Sequence, residues 1–292
     1  MNSTQWSVCR AFLDKTEKDT KELLLSFLSP EQTRALSSLP PCSVDLSLGF
    51  DIVHHLLHWC HYSWFSPFLR SLPENEIALF LSAFPEEKAK QLCSDLLFSS
   101  PLPHLSLPVK TFLQKIIVDN LLAQNPILPP VEELPSSPLN ILLEITPTQF
   151  SLLIDFLGIY DLSAEMRLII DTVKIKKIQS SLSKEQSLFL SLISRRQEPL
   201  LFKRMEPGIG DVKADDIPSL LRKKGLNRFA KLLAGENPSF VYYMKLRMST
   251  DEFAVFSPLH KKPENVKTYK ILIGQVMDIL AFFKKNNIQA TL

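Results

Sequence analysis

Glycine is scarce in this chain, with seven among 292 residues. That disfavours glycine-rich nucleotide loops and turn-dense β folds. The four cysteines (Cys9, Cys42, Cys60, Cys93) show no C-x-x-C spacing and are too sparse for a disulfide framework. No apolar run approaches the ~20 residues that a bilayer-spanning helix needs. The opening Met-Asn-Ser-Thr-Gln-Trp is polar and lacks the apolar core of a signal peptide, so a cytoplasmic location is expected. There is no G-x-S-x-G elbow, no H-E-x-x-H and no Walker A motif, and neither an enzymatic activity nor a cofactor is expected.

What the chain does have is apolar periodicity. Hydrophobic residues make up 45% and charged residues 22%, which suits a folded domain. The 21 prolines fall mostly between apolar-periodic segments, where they punctuate helices. From Pro73 to Leu97 two short helices stand back to back. Ile77, Phe80, Leu81 and Phe84 recur at i, i+3, i+4 and i+7, and Ala89, Leu92, Cys93 and Leu96 follow the same template. Pro73 and Pro85 suit first helical positions, and the glutamates after them (Glu74, Glu76, Glu86, Glu87) suit the positive end of a helix dipole.

The template returns further on. Four segments begin with the spacing of a capping box: Ser29–Gln32, Thr146–Gln149, Ser183–Gln186 and Ser249–Glu252. Gly158 is expected to end one helix and Ser163 to begin the next, with Met166, Ile169, Ile170 and Val173 on its stripe. A 125–138 segment with five prolines reads as a semi-rigid spacer between domains 1–124 and 139–292. The fold expected is all-α, a degenerate helical-repeat array of short helices that closes with one long apolar helix.

That last helix, from about Pro263 to Lys285, carries Tyr269, Ile273, Val276, Leu280 and Phe283 at heptad spacing, and its other faces are apolar too. Such breadth implies burial against several elements or against a protein partner. Charge is divided unevenly. Residues 1–150 hold 10 Lys/Arg against 16 Asp/Glu, and residues 151–292 hold 23 against 15. Surfaces of opposite sign favour distinct partners or head-to-tail association.

Two constellations bear on chemistry. His54, His58 and His61 share one face of a helix expected over 48–72, a spacing able to chelate zinc or nickel. No carboxylate base sits inside the cluster, and Leu56, Leu57, Trp59 and Trp64 interleave it, so packed histidines are the favoured reading. Gly208, Ile209, Gly210 and Ala214 resemble the hairpin of helix–hairpin–helix DNA-binding modules. Lys203, Arg204, Lys213, Arg222, Lys223, Lys224 and Arg228 surround it, but Asp211, Asp215 and Asp216 crowd the phosphate position. A turn with a solvated basic face is the favoured reading here, and DNA binding is the alternative function.

Ile77, Ala78, Leu79, Leu81 and Ser82, then Pro85, Glu87 and Ala89, form a run that resembles the armadillo-like helical repeats of the flagellar motor-switch protein FliG. The family's Glu-His-Pro-Gln signature is replaced here by Leu72, Pro73, Glu74 and Asn75, and its paired-glycine hinge is not visible. The resemblance therefore implies an adaptor rather than a rotary switch. It would be a component similar to the SctK-type proteins of type III secretion sorting platforms, linking a membrane-ring protein to a cytoplasmic switch or platform protein. Partner contact is then expected at Glu74, Asn75 and Glu76. Membrane association, at the cytoplasmic face of the inner membrane, is expected only through the protein complex.

Overall fold

The computed structural model describes residues 10, 13, 18–38, 56–123, 128–129, 131, 134–195, 200, 213–260 and 266–288. Among these the regular structure is entirely helical. The α-helices are α1 (Lys18–Ser26), α2 (Pro30–Ser37), α3 (Ser66–Arg70), α4 (Glu74–Ala83), α5 (Glu86–Leu96), α6 (Leu107–Leu122) and α7 (Pro147–Met166). They continue with α8 (Thr172–Ser180), α9 (Lys184–Ile193), α10 (Ile217–Leu233), α11 (Pro238–Arg247), α12 (Thr250–Phe256) and α13 (Val266–Lys285).

Local sequence chemistry accounts for the helix starts. All four capping boxes form, with the side chain of Ser29, Thr146, Ser183 or Ser249 accepting from the third residue, whose own side chain accepts from the cap backbone. Pro73 and Pro85 sit one position earlier than expected. They are N-caps with extended backbone, and their carbonyls accept from Ile77 and Ala89.

The centre of the molecule is the antiparallel pair α7 and α10. Helix α7 is buried on nearly every side through Phe150, Leu153, Ile154, Phe156, Leu157, Ile159 and Leu162, the signature of a helix inside a core. Phe150 meets Phe229 with ring centroids 5.5 Å apart. One turn along each helix, Gly225 faces the Ile154 carbonyl, and a turn further Gly158 faces that of Leu221. A Cβ on Gly225 would stand 1.8 Å from Ile154 O, and one on Gly158 would stand 2.2 Å from Leu221 O. These glycines let two backbones touch. Gly158 therefore ends nothing: the helix runs through it and through buried Ser163 to Met166, correcting the expected break.

Around that crossing, cations of α10 meet anions of α7 and α12. Arg222 pairs with Asp155 of α7 at 3.1 Å and with Glu252 of α12 at 2.5 Å, Lys224 with Glu165 of α7 at 2.5 Å, and Arg228 with Asp161 of α7 at 2.7 Å. Helices α9 and α13 cover another side of α7, where Phe156 touches Phe189, Phe282 and Phe283.

The fold expectation needs correction. The chain is all-helical with helix packed on helix, and hairpins such as α4–α5 recur. Its organising contact, however, joins α7 to α10 across some 60 residues of sequence, whereas stacked repeats touch their neighbours. The final helix is not apolar all round, since Lys267, Lys270, Asp278, Lys284 and Lys285 form an exposed face. Among the described residues, no helix is long and apolar enough to cross a membrane.

One continuous set of buried residues runs from Leu56 to Phe283. Trp64 donates from its indole to Met248 O at 2.8 Å, and Tyr243 donates to Pro129 O at 2.8 Å, tying the first half and the proline-rich stretch to α11. Arg247 stacks between the rings of Trp59 and Phe150 and donates to the carbonyls of Leu142 and Ile145.

Lys88 of α5 is buried and donates to the carbonyls of Leu57 and Cys60, capping a helical turn at 56–59. Burial pushes its pKa from 10.5 down to about 8. Below pH 8 the ammonium is charged in both states, and the folded state alone carries the desolvation cost. Between pH 8 and 10.5 the unfolded chain binds the proton and the folded chain does not, so stability rises with pH. Relative to Lys88→Met, the wild type is expected to gain up to about 3 kcal/mol across that window, read by urea unfolding at several pH values. A pH-independent difference between the two proteins would refute this assignment.

Candidate functional site

Apart from Leu23 and Phe27 of α1 and the scattered Leu79 and Ile141, the large apolar side chains left in solvent among the described residues fall in two regions. The first is the end of the α4–α5 hairpin together with the start of α6. Helix α5 closes on Leu97 at φ 53°, a left-handed conformation in which glycine is usual, and Phe98 N–H returns to Cys93 O at 2.9 Å. A leucine there carries a conformational cost of order 1 kcal/mol, and yet its side chain is 91% exposed. The Gln114 side chain donates to Ala83 O at 2.8 Å, and Ser100 reaches Glu74. Helix α6 thus packs on α4 through Gln114, and the loop before α6 touches the start of α4.

Leu107 shares a helix face with buried Gln114 and Val118, seven and eleven positions on, but it remains 76% exposed. The first turn of α6 thus projects beyond the elements that cover the rest of that face. Val109 and Phe112 are exposed beside it, and Leu102 lies in the preceding loop. Glu74, Asn75 and Glu76 are exposed on the first turn of α4, at the same end. Leu97 and Leu102 thus lie beside acidic groups, and the start of α6 adds three further exposed apolar side chains.

The second place is the tip formed by α7, α8 and α9. Phe156 and Tyr160 both meet Phe189, Ser163 meets Ser194, and Arg167 donates to Ser194 O at 2.9 Å, so α7 and α9 run parallel and end together. Leu168, Ile170 and Val173 lie at that end, with Leu192 and, one turn below, Leu188 on the outer face of α9; all five are exposed, Ile170 to 96%. The expected stripe through Ile170 and Val173 does not exist, because α7 persists to Met166 and a turn follows.

The other sequence candidates fall elsewhere. His54 lies outside the described residues. The expected 48–72 helix breaks at His61, whose backbone is extended and whose ring caps the short turn Tyr62–Trp64 by accepting from Ser63 N–H. Burial also lowers its pKa. His58 instead lines an open groove of about 760 Å³ with Trp59, Leu134, Asn140, Glu144 and Thr146. Among the described residues no three His, Cys, Asp or Glu side chains converge as a metal site would require.

The C-terminal stripe faces inward: Val276 and Phe283 are buried, and Tyr269, Ile273 and Leu280 pack against the same core. Tyr269 donates to Glu236, which also accepts from Ser137 at 3.0 Å, and burial pushes the phenol up to about 12. Gly208, Ile209 and Gly210 lie outside the described residues. The basic face expected around them is corrected in part. Lys224 and Arg228 are buried in the ion pairs with α7 and Arg222 is mostly covered, which leaves Lys223 exposed among the four basic residues of α10 named above.

Searches of protein-family models, of curated proteins and of solved structures found no match to this chain.

Proposed function

We propose that the chain is a non-enzymatic cytosolic adaptor. In the fullest form of this reading, it belongs to a type III secretion or flagellar-type assembly and links a membrane-ring protein to a cytoplasmic switch or platform protein. One observation carries the adaptor reading: exposed apolar side chains gather in two regions of one packed helical core, at the α4–α6 elements and at the tip of α7, α8 and α9, with exposed acidic groups on the first turn of α4. Apolar patches rimmed by charge mark interaction surfaces. The strained Leu97 supplies an anchor group at the end of α5, Leu107 and the aromatic Phe112 supply two at the start of α6, and Glu74 and Glu76 favour a basic partner.

The test is co-purification of the full chain with candidate ring-type and switch-type proteins. Phe112→Glu combined with Leu107→Glu is expected to weaken capture of one partner class at least about tenfold, with the melting temperature unchanged because both side chains stand in solvent. Failure of the wild type to hold either class would refute the secretion reading. Undiminished capture by the double variant would remove the first patch from it.

A further inference from the structure

We propose that the cleft between α11 and α12 is a binding site for a small aromatic carboxylate. Only Met248 and Ser249 join the two helices, and each helix turns one face to the same space. On α11 that face is Pro238, Val241, Tyr242 and Lys245, at i, i+3, i+4 and i+7. Phe253, Phe256, Ser257 and His260 repeat the spacing along α12 and the short helical turn Ser257–Leu259 that extends it. The cleft between the two faces has a volume of about 180 Å³. That is less than drug-sized ligands occupy, and it suits a single ring with its acid group.

The walls select the body of the ligand. Along α12 the rings of Phe253, Phe256 and His260 succeed one another at interplanar angles of 28° and 20°, with centroids 6.1 and 5.4 Å apart. Val241 and Tyr242 stand across from them. A flat apolar ring can stack against such a wall or meet it edge-on.

Lys245 selects the charge. Its Nζ lies 4.8 Å from the ring centroid of Trp64, 5.1 Å from that of Tyr242 and 4.7 Å from that of Phe253. The rings attract the cation but offer its N–H groups no lone pair, and among the described residues no carboxylate pairs with it. The carboxylates nearest in sequence are held elsewhere or lie off the cleft face. Glu252 pairs with Arg222 and accepts from Ser249 N–H, and Glu236 accepts from Tyr269 and Ser137. Asp251 stands two residues before Phe253, away from the cleft face of α12. Partial burial of Lys245 lowers its pKa, so the charge is poorly solvated where it stands. A carboxylate in the cleft supplies the missing acceptor through a charge-assisted hydrogen bond. A cationic ring would meet like charge.

This site goes beyond the adaptor reading, and its test uses no protein partner, so either can fail alone. Isothermal titration of the full chain with phenylacetate at neutral pH is expected to show one saturable site with a Kd of about 1 mM or lower. The neutral phenylacetamide is expected to bind about tenfold more weakly or worse. Lys245→Met is expected to bring the acid down to the affinity of the amide, and Lys245→Arg to keep most of the preference. Ser257→Trp, at an exposed position, is expected to fill the cleft and abolish binding of both compounds with the melting temperature unchanged. No saturable binding of the acid, or an amide that binds as tightly, would overturn the proposal. So would undiminished binding of the acid by Lys245→Met or by Ser257→Trp.

Discussion

Gly225→Ala is expected to cost about 3 kcal/mol or more, because the added methyl has only backbone to displace. Its Cβ would lie 1.8 Å from Ile154 O and 2.8 Å from Ile154 C, so α7 and α10 would have to separate. Separation disturbs the packing above and below, where Phe150 meets Phe229 and where Arg222 reaches Asp155. For a chain of this size the melting temperature is expected to fall by about 5 °C. Gly158→Ala, 2.2 Å from Leu221 O, is expected to act in the same direction. Gly274→Ala is the internal contrast: it lies in α13 with nothing within 4 Å of the added carbon. There alanine is expected to stabilise by up to about 1 kcal/mol through helix propensity. Thermal melts of the three variants side by side decide the matter, and a neutral Gly225→Ala would rule out the close crossing.

The second large effect concerns Arg228, which is fully buried. Its guanidinium donates to Asp161 at 2.7 Å, to Gln275 at 2.8 Å and to Leu200 O at 3.2 Å, and lies 5.5 Å from the Tyr160 ring centroid. Arg228→Met leaves the Asp161 carboxylate, itself mostly covered, without its cation. Breaking a buried pair in this way costs about 3–5 kcal/mol. Arg228→Lys is expected to restore only part of it, since one ammonium cannot reproduce a planar fork that serves separate acceptors. Removing both charges, as Arg228→Met with Asp161→Leu, is expected to recover much of the loss, because most of the penalty belongs to the stranded charge. Urea unfolding of the two single variants and the double variant gives the coupling directly. A cost below about 1 kcal/mol for Arg228→Met would show that the pair does not hold α7 to α10.

Helix positions were largely legible from the residues. The four capping boxes were readable because each is a contact between residues three apart, formed whatever the rest of the chain does. The inward faces of the α4–α5 hairpin were readable for a similar reason: one helical period places Leu81, Phe84, Ala89 and Leu92 on the covered side. The interaction surfaces were not. Leu107 and Leu81 are the same residue type in comparable periodic settings, and they part company only because one helix overhangs its neighbours. Glu74, Asn75 and Glu76 were named from a resemblance, and the structure brings exposed Leu97 and Leu102 to their end of the hairpin. At the second patch the pattern misled, since Ile170 and Val173 read as a core stripe until α7 was seen to run on to Met166.

What the sequence determined by itself is therefore local: an all-helical chain, its helix starts, and the covered face of most helices, each set by contacts within one or two turns. The tertiary structure alone decided which helix lies against which. Only a backbone approaching from some 60 residues away makes Gly158 a packing residue instead of a terminator, turns Lys224 and Arg228 from apparent surface charge into buried ion pairs, and leaves Ile170 in solvent. Propensity and period describe a residue's own helix, and none of these fates is set there.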